Sequence, residues 1–211
     1  MKVHPITLKK TSSLPVGVRW SITEKDDKEK SLVRDIVHGD TKAMKTFFTT
    51  YSGYLTTVCS RYIADSDDVK DVLQDSFVKV FKSIGEFNYQ GPGSLRAWAT
   101  RIVVNESLKF LKKSDRLNIV SNPVWELPDR IEEEEVEMDD IPISVVLDMI
   151  RNLPTGYKTV FNLYIFEKKS HKEIAAMLNI TENTSASQLH RAKSLLAKQI
   201  EGFRSVKRLA L

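Results

Sequence analysis

Residues 170–193, SHKEIAAMLNITENTSASQLHRAK, have the pattern of two short helices joined by a sharp turn. Ser170 and Glu173 match a capping box, in which each side chain hydrogen-bonds to the backbone of the other residue. Asn179 stands where the chain must turn, and asparagine tolerates the left-handed conformation better than most residues. Thr181 is a suitable cap for the second helix. The stretch therefore predicts a helix-turn-helix.

A helix-turn-helix presents the start of its second helix to the major groove of DNA, where side chains meet base edges. Basic side chains late in that helix suit phosphate contacts, and here they are His190, Arg191, Lys193 and Lys198. Taken alone, the same pattern also fits an ordinary helical hairpin that has no role in DNA binding.

Charge is unevenly distributed along the 211 residues, although the net charge is only +4. Residues 1–120 have a net charge of +6, residues 121–150 of −9, and residues 151–211 of +7. Basic segments favour a polyanionic partner, because neutralised phosphates release their counterions. A solvated surface is the alternative for any single charged run. Two basic blocks around an acidic one favour a nucleic acid partner.

Several classes of protein are disfavoured by composition. The single cysteine, Cys59, excludes an internal disulfide framework and favours a reducing compartment, which we expect to be the cytoplasm. No apolar run reaches the ~18 residues of a membrane span, so we expect no membrane insertion. The four histidines lie in unrelated contexts, and no nucleophile motif, phosphate-binding loop or metal-ligand spacing is present. We therefore predict no catalytic residue, metal or cofactor, and a protein that is not an enzyme.

Residues 1–28 are predicted to be an extension. Helical periodicity dominates the part of the first half of the chain that follows them. Gly39-Asp40 is expected to break the early helical stretch in two. Ser66 is a suitable N-cap for a helix whose apolar positions recur at helical spacing. Val78 is an apolar residue on the otherwise polar face of that helix, which indicates that this face meets a partner.

A loop and a further helix follow. NYQGPGS, residues 88–94, cannot continue a helix, and Ser94 is the expected cap of a helix over residues 95–113. One face of that helix has a polar stripe with no acidic member: Arg101, Asn105, Lys109, Lys112 and Arg116. Such a stripe is unusual for a helix face that meets only solvent.

Residues 118–142 lose all periodicity and are rich in acid and proline, as expected of a linker. The predicted fold is all-α, with two small helical domains joined by a flexible acidic linker. The predicted units are an extension at 1–28, a first domain at 29–116, the linker at 117–142, a second domain at 143–203 and a basic tail at 204–211.

Three stretches in this order resemble the bacterial RNA polymerase sigma factors of the extracytoplasmic-function (ECF) type, in the sigma-70 family. DVKDVLQDSFVKVFKSIGEF, residues 68–87, is similar to region 2.2. SLRAWATRIVVNESLKFLKKSDR, residues 94–116, is similar to regions 2.3–2.4, and residues 153–193 are similar to region 4 with its helix-turn-helix. Together the resemblance covers roughly residues 30–200, in the family order and spacing.

The resemblance implies a sigma factor that binds core RNA polymerase, recognises the −10 and −35 elements of promoter DNA and helps to melt it. Polymerase binding then falls to Asp68, Asp71, Val72, Gln74, Asp75 and Val78. The −10 element falls to Asn88, Tyr89, Gln90, Arg101, Asn105, Lys109, Lys112, Lys113 and Arg116. The −35 element falls to Lys172, Asn183, Thr184, Ser187, Gln188, His190, Arg191 and Lys193. The resemblance also implies an anti-sigma factor as a partner, and a linker that threads through the polymerase towards the RNA exit channel.

The chain departs from the family pattern in the recognition helix. The family usually has a valine and two basic residues just after position 184, where this chain has Ser185, Ala186 and Gln188. Arginine is therefore absent from the positions that would read guanine, and we expect more dependence on DNA shape. A stand-alone helix-turn-helix regulator is the alternative function, and a helical adaptor that does not bind DNA is a third.

Overall fold

The chain folds into α-helices in a computed structural model that describes residues 21–114 and 141–209. Within these ranges there is no β-strand. The helices are α1 (Ser21–Val37), α2 (Thr41–Ser60), α3 (Ser66–Ser83), α4 (Ser94–Lys113), α5 (Ile143–Arg151), α6 (Thr155–Ile165), α7 (His171–Leu178) and α8 (Glu182–Leu209), with a 3-10 turn at Ile84–Glu86. The all-α prediction is confirmed. Arg116 and nearly all of the acidic linker lie outside the described residues.

The predicted break in the early helix separates α1 from α2. Gly39 has a φ of 82°, in the left-handed region that glycine adopts without strain. Asp40 then caps α2, since its Oδ1 accepts a hydrogen bond from the Lys42 N–H at 2.8 Å. α1 begins at Ser21, earlier than the predicted boundary at residue 29.

Helices α1–α4 form the first packed group, in which α2, α3 and α4 contact one another and α1 lies on α2. Leu55, Val80 and Val103 fill the centre of this group and are almost entirely buried. Phe47 is also buried, and its ring meets the rings of Phe77 and Phe81 at centroid distances of 6.2 and 5.6 Å. Burial of such side chains is the main stabilising contribution to the group.

Two predicted helix caps are wrong by one residue. Asp65, not Ser66, caps α3, because its Oδ1 accepts from the backbone N–H groups of Asp67 and Asp68. Gly93, not Ser94, is the N-cap of α4 and has a φ of 86°. In both places two residues that suit an N-cap stand side by side, and the residue before the predicted one occupies the cap position.

Helices α5–α8 form the second packed group, in which α8 contacts the other three helices. Its core contains Val160, Leu163, Ile174, Ala192 and Ile200. α8 continues to Leu209 and so passes the predicted boundary between domain and tail at residue 203.

The two groups meet at a thin contact between the end of α2 and the end of α6. The Asn162 side-chain N–H donates to the Arg61 carbonyl oxygen at 2.7 Å. The Arg61 guanidinium lies 4.4 Å from the centre of the Phe166 ring and 3.3 Å from the Glu167 carboxylate. A second point of contact joins α4 to α7, since the Lys112 amine donates to the Met177 carbonyl oxygen at 2.8 Å.

No described helix combines the length and the apolar character needed to cross a membrane. The described residues also contain no cluster of three or more His, Cys, Asp or Glu side chains suited to a metal.

Candidate nucleic-acid interface

The start of α7 has the predicted capping box. The Ser170 Oγ accepts from the Glu173 N–H at 3.3 Å, and the Glu173 Oε2 accepts from the Ser170 N–H at 2.9 Å. Lys169 donates to the other Glu173 oxygen at 2.7 Å. This hydrogen bond from Lys169, with those from Ser170, lowers the pKa of Glu173 to about 2. The carboxylate is thus ionised at neutral pH and fixes the first turn of α7.

The turn between α7 and α8 also agrees with the prediction. Asn179 has a φ of 58° and a ψ of 51°, the left-handed conformation. The Ile180 N–H donates back to the Ala175 carbonyl oxygen at 3.1 Å. Thr181 caps α8 by accepting from the Thr184 N–H at 3.0 Å. The local hydrogen bonds therefore fix the angle at which α8 leaves α7.

One side chain inside this motif connects its helices. His171 is half-buried between α7 and α8. Its Nδ1 lies 2.9 Å from the Ser185 Oγ, and its ring stacks on Tyr164 at a centroid distance of 4.9 Å. His171 thus links α7 to α8 and α6. Only the tertiary arrangement reveals this link, because residues 171 and 185 belong to different helices.

The outward face of α7–α8 presents most of the residues predicted for the −35 element. Lys172, Asn183 and Lys193 are exposed, while Thr184, Ser187, His190 and Arg191 are partly exposed. Gln188 was also predicted to contact the −35 element, but it is only 2% exposed. It lies three residues after buried Ser185 and four before buried Ala192, on the inward stripe of α8. Its side chain packs in the domain and does not face DNA.

The polar stripe on α4 is exposed along its described length. Arg101, Asn105, Lys109 and Lys112 are exposed, as is Lys113 beside them. Glu106 is an acidic neighbour that the stripe pattern did not include. Its carboxylate accepts from Lys79 at 2.6 Å and from Lys109 at 3.5 Å. Partial burial opposes ionisation, but these two amines outweigh it and lower the pKa of Glu106. The stripe remains cationic, with one of its lysines paired.

The loop before α4 presents two of its three predicted DNA-contacting side chains to solvent. Asn88 and Gln90 are exposed, and Tyr89 is half-buried with the Lys30 amine 6.0 Å from its ring centre. Phe87 packs against Trp98 at a centroid distance of 5.1 Å. Phe87 and Trp98 therefore anchor the start of the loop to α4, and Tyr89 meets α1.

Of the six residues of α3 predicted to bind polymerase, four are exposed, one is partly exposed and one is buried. Asp71, Gln74, Asp75 and Val78 are exposed, and Val78 is 46% exposed. Asp68 is partly exposed. Val72 is only 4% exposed and belongs to the core, because it follows Val69 by three residues on the buried stripe. It is not available to a partner protein.

Phe48 extends this face from the neighbouring helix, and sequence reasoning missed it. The Phe48 side chain is 49% exposed, and the centre of its ring lies 4.8 Å from the centre of the Phe77 ring. Phe47 occupies the core position, and adjacent residues of a helix point about 100° apart. The resulting surface combines acidic side chains of α3 with two apolar side chains, Phe48 and Val78.

Two family models match the two helical groups. The model described as "Sigma-70 region 2" matches residues 47–117, and the model described as "Sigma-70, region 4" matches residues 143–196. Together they span more than half of the chain, in the order that the family has. The chain belongs to the sigma-70 family.

Relatives of this sigma factor are similar to it over most of the chain. It is 26% identical to the "ECF RNA polymerase sigma-E factor" of Haemophilus influenzae, over 82% of this chain and 95% of the relative. It is 24% identical to the "RNA polymerase sigma-H factor" of Pseudomonas aeruginosa, over 83% of this chain and 95% of the relative. These matches support the ECF type.

One solved structure is also similar, "Structure of CnrH in complex with the cytosolic domain of CnrY". The match has a TM-score of 0.45 and 22% identity, and it covers 84% of this chain and 98% of that chain.

The family assignment decides between the alternatives for this sigma factor. The region 2 match begins within α2 and includes α3 and α4, and the region 4 match runs from α5 into α8, so each helical group contains one of the two regions. A stand-alone helix-turn-helix regulator is not favoured, because the region 2 match has no place in such a protein. The sigma factor recognises promoters.

Proposed function

We propose that this sigma factor divides its work among three surfaces of the described residues. The outer face of α3, together with Phe48 of α2, binds core RNA polymerase. The loop at residues 88–93 and the stripe on α4 bind the −10 element. The start of α8 binds the −35 element. The acidic side chains and two exposed apolar side chains of the first surface suit a protein partner, whereas the other two surfaces lack exposed acidic clusters.

The α4 stripe is the single observation that carries this proposal. Four polar or cationic side chains are exposed along one helix, directly after a loop that holds two exposed amides and a tyrosine. Cationic side chains follow a phosphate backbone, and an aromatic ring or amide group holds an unstacked base. A loop and a helix arranged in this way suit a melted strand rather than an intact duplex.

The start of α8, the recognition helix of the helix-turn-helix, has few side chains that could read base edges directly. Its first two turns contain Asn183, Thr184 and Ser187 as exposed or partly exposed polar groups, and Arg191 follows later. The Arg191 guanidinium is near the Tyr157 hydroxyl at 3.4 Å, which orients it at the edge of the domain. Region 4 then contributes phosphate contacts and shape readout more than base-specific hydrogen bonds.

Each domain alone is a weak DNA binder in this proposal. When both are fixed on the polymerase, binding of one element raises the effective concentration of the other domain at its own site. RNA synthesis is the work of the core enzyme, and the sigma factor supplies no catalytic group. A cytoplasmic location and an anti-sigma factor that covers these surfaces belong to the same proposal.

Run-off transcription with mapped start sites tests the proposal. The purified chain is added to bacterial core RNA polymerase on a library of promoter fragments. We expect transcripts whose start sites share one −10 and one −35 sequence. Core polymerase alone is the control. The absence of any start site that depends on the added chain would contradict the proposal.

A further inference from the structure

A partly buried carboxylate of α1, that of Glu29, holds the loop that precedes α4. The Glu29 Oε2 accepts a hydrogen bond from the Gly93 N–H at 2.9 Å, and its Oε1 accepts from the Tyr51 hydroxyl at 3.0 Å. Glu29 and Gly93 are 64 positions apart in the chain. One carboxylate therefore joins α1, α2 and the end of the loop.

The electrostatics favour this arrangement. Gly93 is the N-cap of α4, where the positive end of the helix dipole meets the Glu29 charge. Burial, together with the charge and hydrogen bond of Glu29, raises the pKa of Tyr51 to about 12. The tyrosine is therefore a hydrogen-bond donor at all physiological pH values, and Glu29 is the acceptor.

The other side of the loop also contacts α1. The 3-10 turn at Ile84–Glu86, just before the loop, packs on α1. The Lys30 amine lies 6.0 Å from the centre of the Tyr89 ring. Two local hydrogen bonds also run from the Gln90 N–H to the Ser94 Oγ and from the Ser94 N–H to the Gly91 carbonyl oxygen. These local bonds shape the loop but do not fix its position on the domain.

The space beside the Glu29 carboxylate is open. A cleft of about 620 Å³ lies between α1 and α2 and ends at Pro92 and Gly93. The C-terminal end of the loop is therefore held over this cleft by a hydrogen bond, and not by dense packing underneath it. A small displacement of Gly93 would move Asn88, Tyr89 and Gln90, because they belong to the same short loop.

We propose that Glu29 is a positioning residue that sets base selection at the −10 element, by fixing Gly93 and with it the loop at residues 88–93. The inference rests on the proposed function of that loop. Glu29 itself touches no DNA. Its role is to hold the loop in one place, so that a base is recognised by groups at fixed distances. Loss of the bond gives a loop that binds several bases about equally.

The test measures transcription from a promoter library randomised at the −10 element, with core polymerase and each variant. Glu29→Gln keeps one acceptor oxygen, and Glu29→Ala removes both. One mismatched base pair usually costs a factor of about 5 to 150 in binding. We expect the ratio of preferred to disfavoured bases at one −10 position to fall about threefold in Glu29→Gln and about tenfold in Glu29→Ala. Glu86→Gln, the same charge change on an exposed residue near the loop, is the matched control and should keep the wild-type ratio.

The ratio between preferred and disfavoured bases distinguishes a loss of loop positioning from a general loss of folded protein. A variant that only loses folded protein gives less transcript from every promoter, with unchanged ratios between bases. The −35 preference, measured in parallel, should not change in any variant. If Glu29→Ala proves too unstable to purify, Tyr51→Phe removes one of the two bonds and should lower the −10 ratio in the same direction.

An unchanged −10 ratio in soluble Glu29→Ala, or in Tyr51→Phe where that variant is used instead, overturns the inference. A uniform loss at all bases overturns it as well. Both results leave the proposed function intact as long as the wild-type chain directs transcription. The failure of the wild-type chain to direct any transcription would instead refute the proposed function.

Discussion

The Arg61 guanidinium lies 3.3 Å from the Glu167 carboxylate, although the two residues are 106 positions apart. Their side chains are 13% and 15% exposed, so the ion pair is largely removed from water. Three buried polar atoms close to it have no hydrogen-bond partner among the described residues: Arg61 Nε, Tyr62 Oη and Asn162 Oδ1. Each such atom costs about 1–3 kcal/mol. The contact between regions 2 and 4 is therefore specific but weak, and we expect the loss of one of its interactions to open it.

The ion pair is the first test of this contact. Arg61→Ala leaves the Glu167 charge buried without its partner, a change that costs about 3 kcal/mol or more when both partners are fully buried. We expect the two domains to separate, and the radius of gyration from small-angle scattering to increase. Arg34→Ala removes an exposed arginine of α1 and should leave the radius unchanged. Equal radii for wild type and Arg61→Ala would show that the pair does not hold the domains together.

The same pair should respond to pH. Burial raises the pKa of Glu167, and the charges of Arg61 and Lys169 offset this only in part. A raised pKa in the folded state means that folding favours the protonated form of Glu167. The contribution of Glu167 to the stability of the fold is therefore complete at low pH and is lost as pH rises through the pKa that Glu167 has in the folded protein. Glu167→Gln cannot titrate. We therefore expect the stability of the wild type relative to Glu167→Gln, as measured by urea unfolding, to fall as pH rises above the ordinary pKa of a glutamate and through the raised pKa of Glu167. A difference that stays constant or grows with pH would contradict this sign.

The α4 stripe predicts a salt dependence. Replacement of Arg101, Lys109 and Lys112 by alanine removes three cations that face the melted strand. On single-stranded DNA each lost phosphate contact lowers the slope of log K against log salt by about 0.7, so we expect a slope reduced by about 2. The measurement is open-complex formation by the holoenzyme at several salt concentrations. Alanine at the exposed residues Lys42, Lys45 and Lys70 is the matched control. If the stripe variant and the control have the same slope of log K against log salt, the stripe does not contact DNA.

The polymerase surface is tested by charge reversal. Asp75 is exposed on α3, so Asp75→Lys should fold normally. Loss of one charged contact at an interface typically costs about 1–3 kcal/mol. We expect the affinity for core polymerase to fall at least about fivefold in a competition against the wild type. Glu86→Lys makes the same change on the 3-10 turn and should compete normally.

The turn of the helix-turn-helix is tested by two substitutions at one position. Asn179 is left-handed, so Asn179→Ala should destabilise region 4 by about 1–2 kcal/mol. Asn179→Gly should be neutral or slightly stabilising, since glycine adopts this conformation freely. Urea unfolding of both variants gives the two values. If alanine and glycine behave alike, the left-handed turn does not limit the stability of the domain.

Local signals in the sequence predicted local features of the fold well. The capping box at Ser170 and Glu173 and the left-handed turn at Asn179 depend on neighbouring residues, so the pattern identified them. At the ends of α3 and α4, two good capping residues stand side by side, and propensity alone could not choose between Asp65 and Ser66. Val72 follows the buried period of α3, and only the family resemblance assigned it to polymerase binding. For Gln188, helical periodicity left the facing direction open. It was decided by the packing of the neighbouring helices.

Relationships across the chain were not visible in the sequence. Arg61 and Glu167 belong to different domains, and no period or motif relates them. Glu29 lies at the edge of the segment predicted as an extension, yet it holds a loop beside α4. Arg61, Glu167 and Glu29 each stand among other charged residues. The sequence alone does not indicate which of the many possible partners each of them contacts in the fold.

The bond from Lys112 to the Met177 carbonyl oxygen has a thermodynamic consequence. The amine that we expect to meet a phosphate is already occupied by the protein's own backbone. Its release from α7 and its capture by a nucleic acid are then linked equilibria, and each must shift the other by the same factor. Any ligand that separates region 4 from region 2 will release the Lys112 amine and so increase the affinity of α4 for the melted strand. Binding of the strand will in turn favour the state in which the two regions are separated.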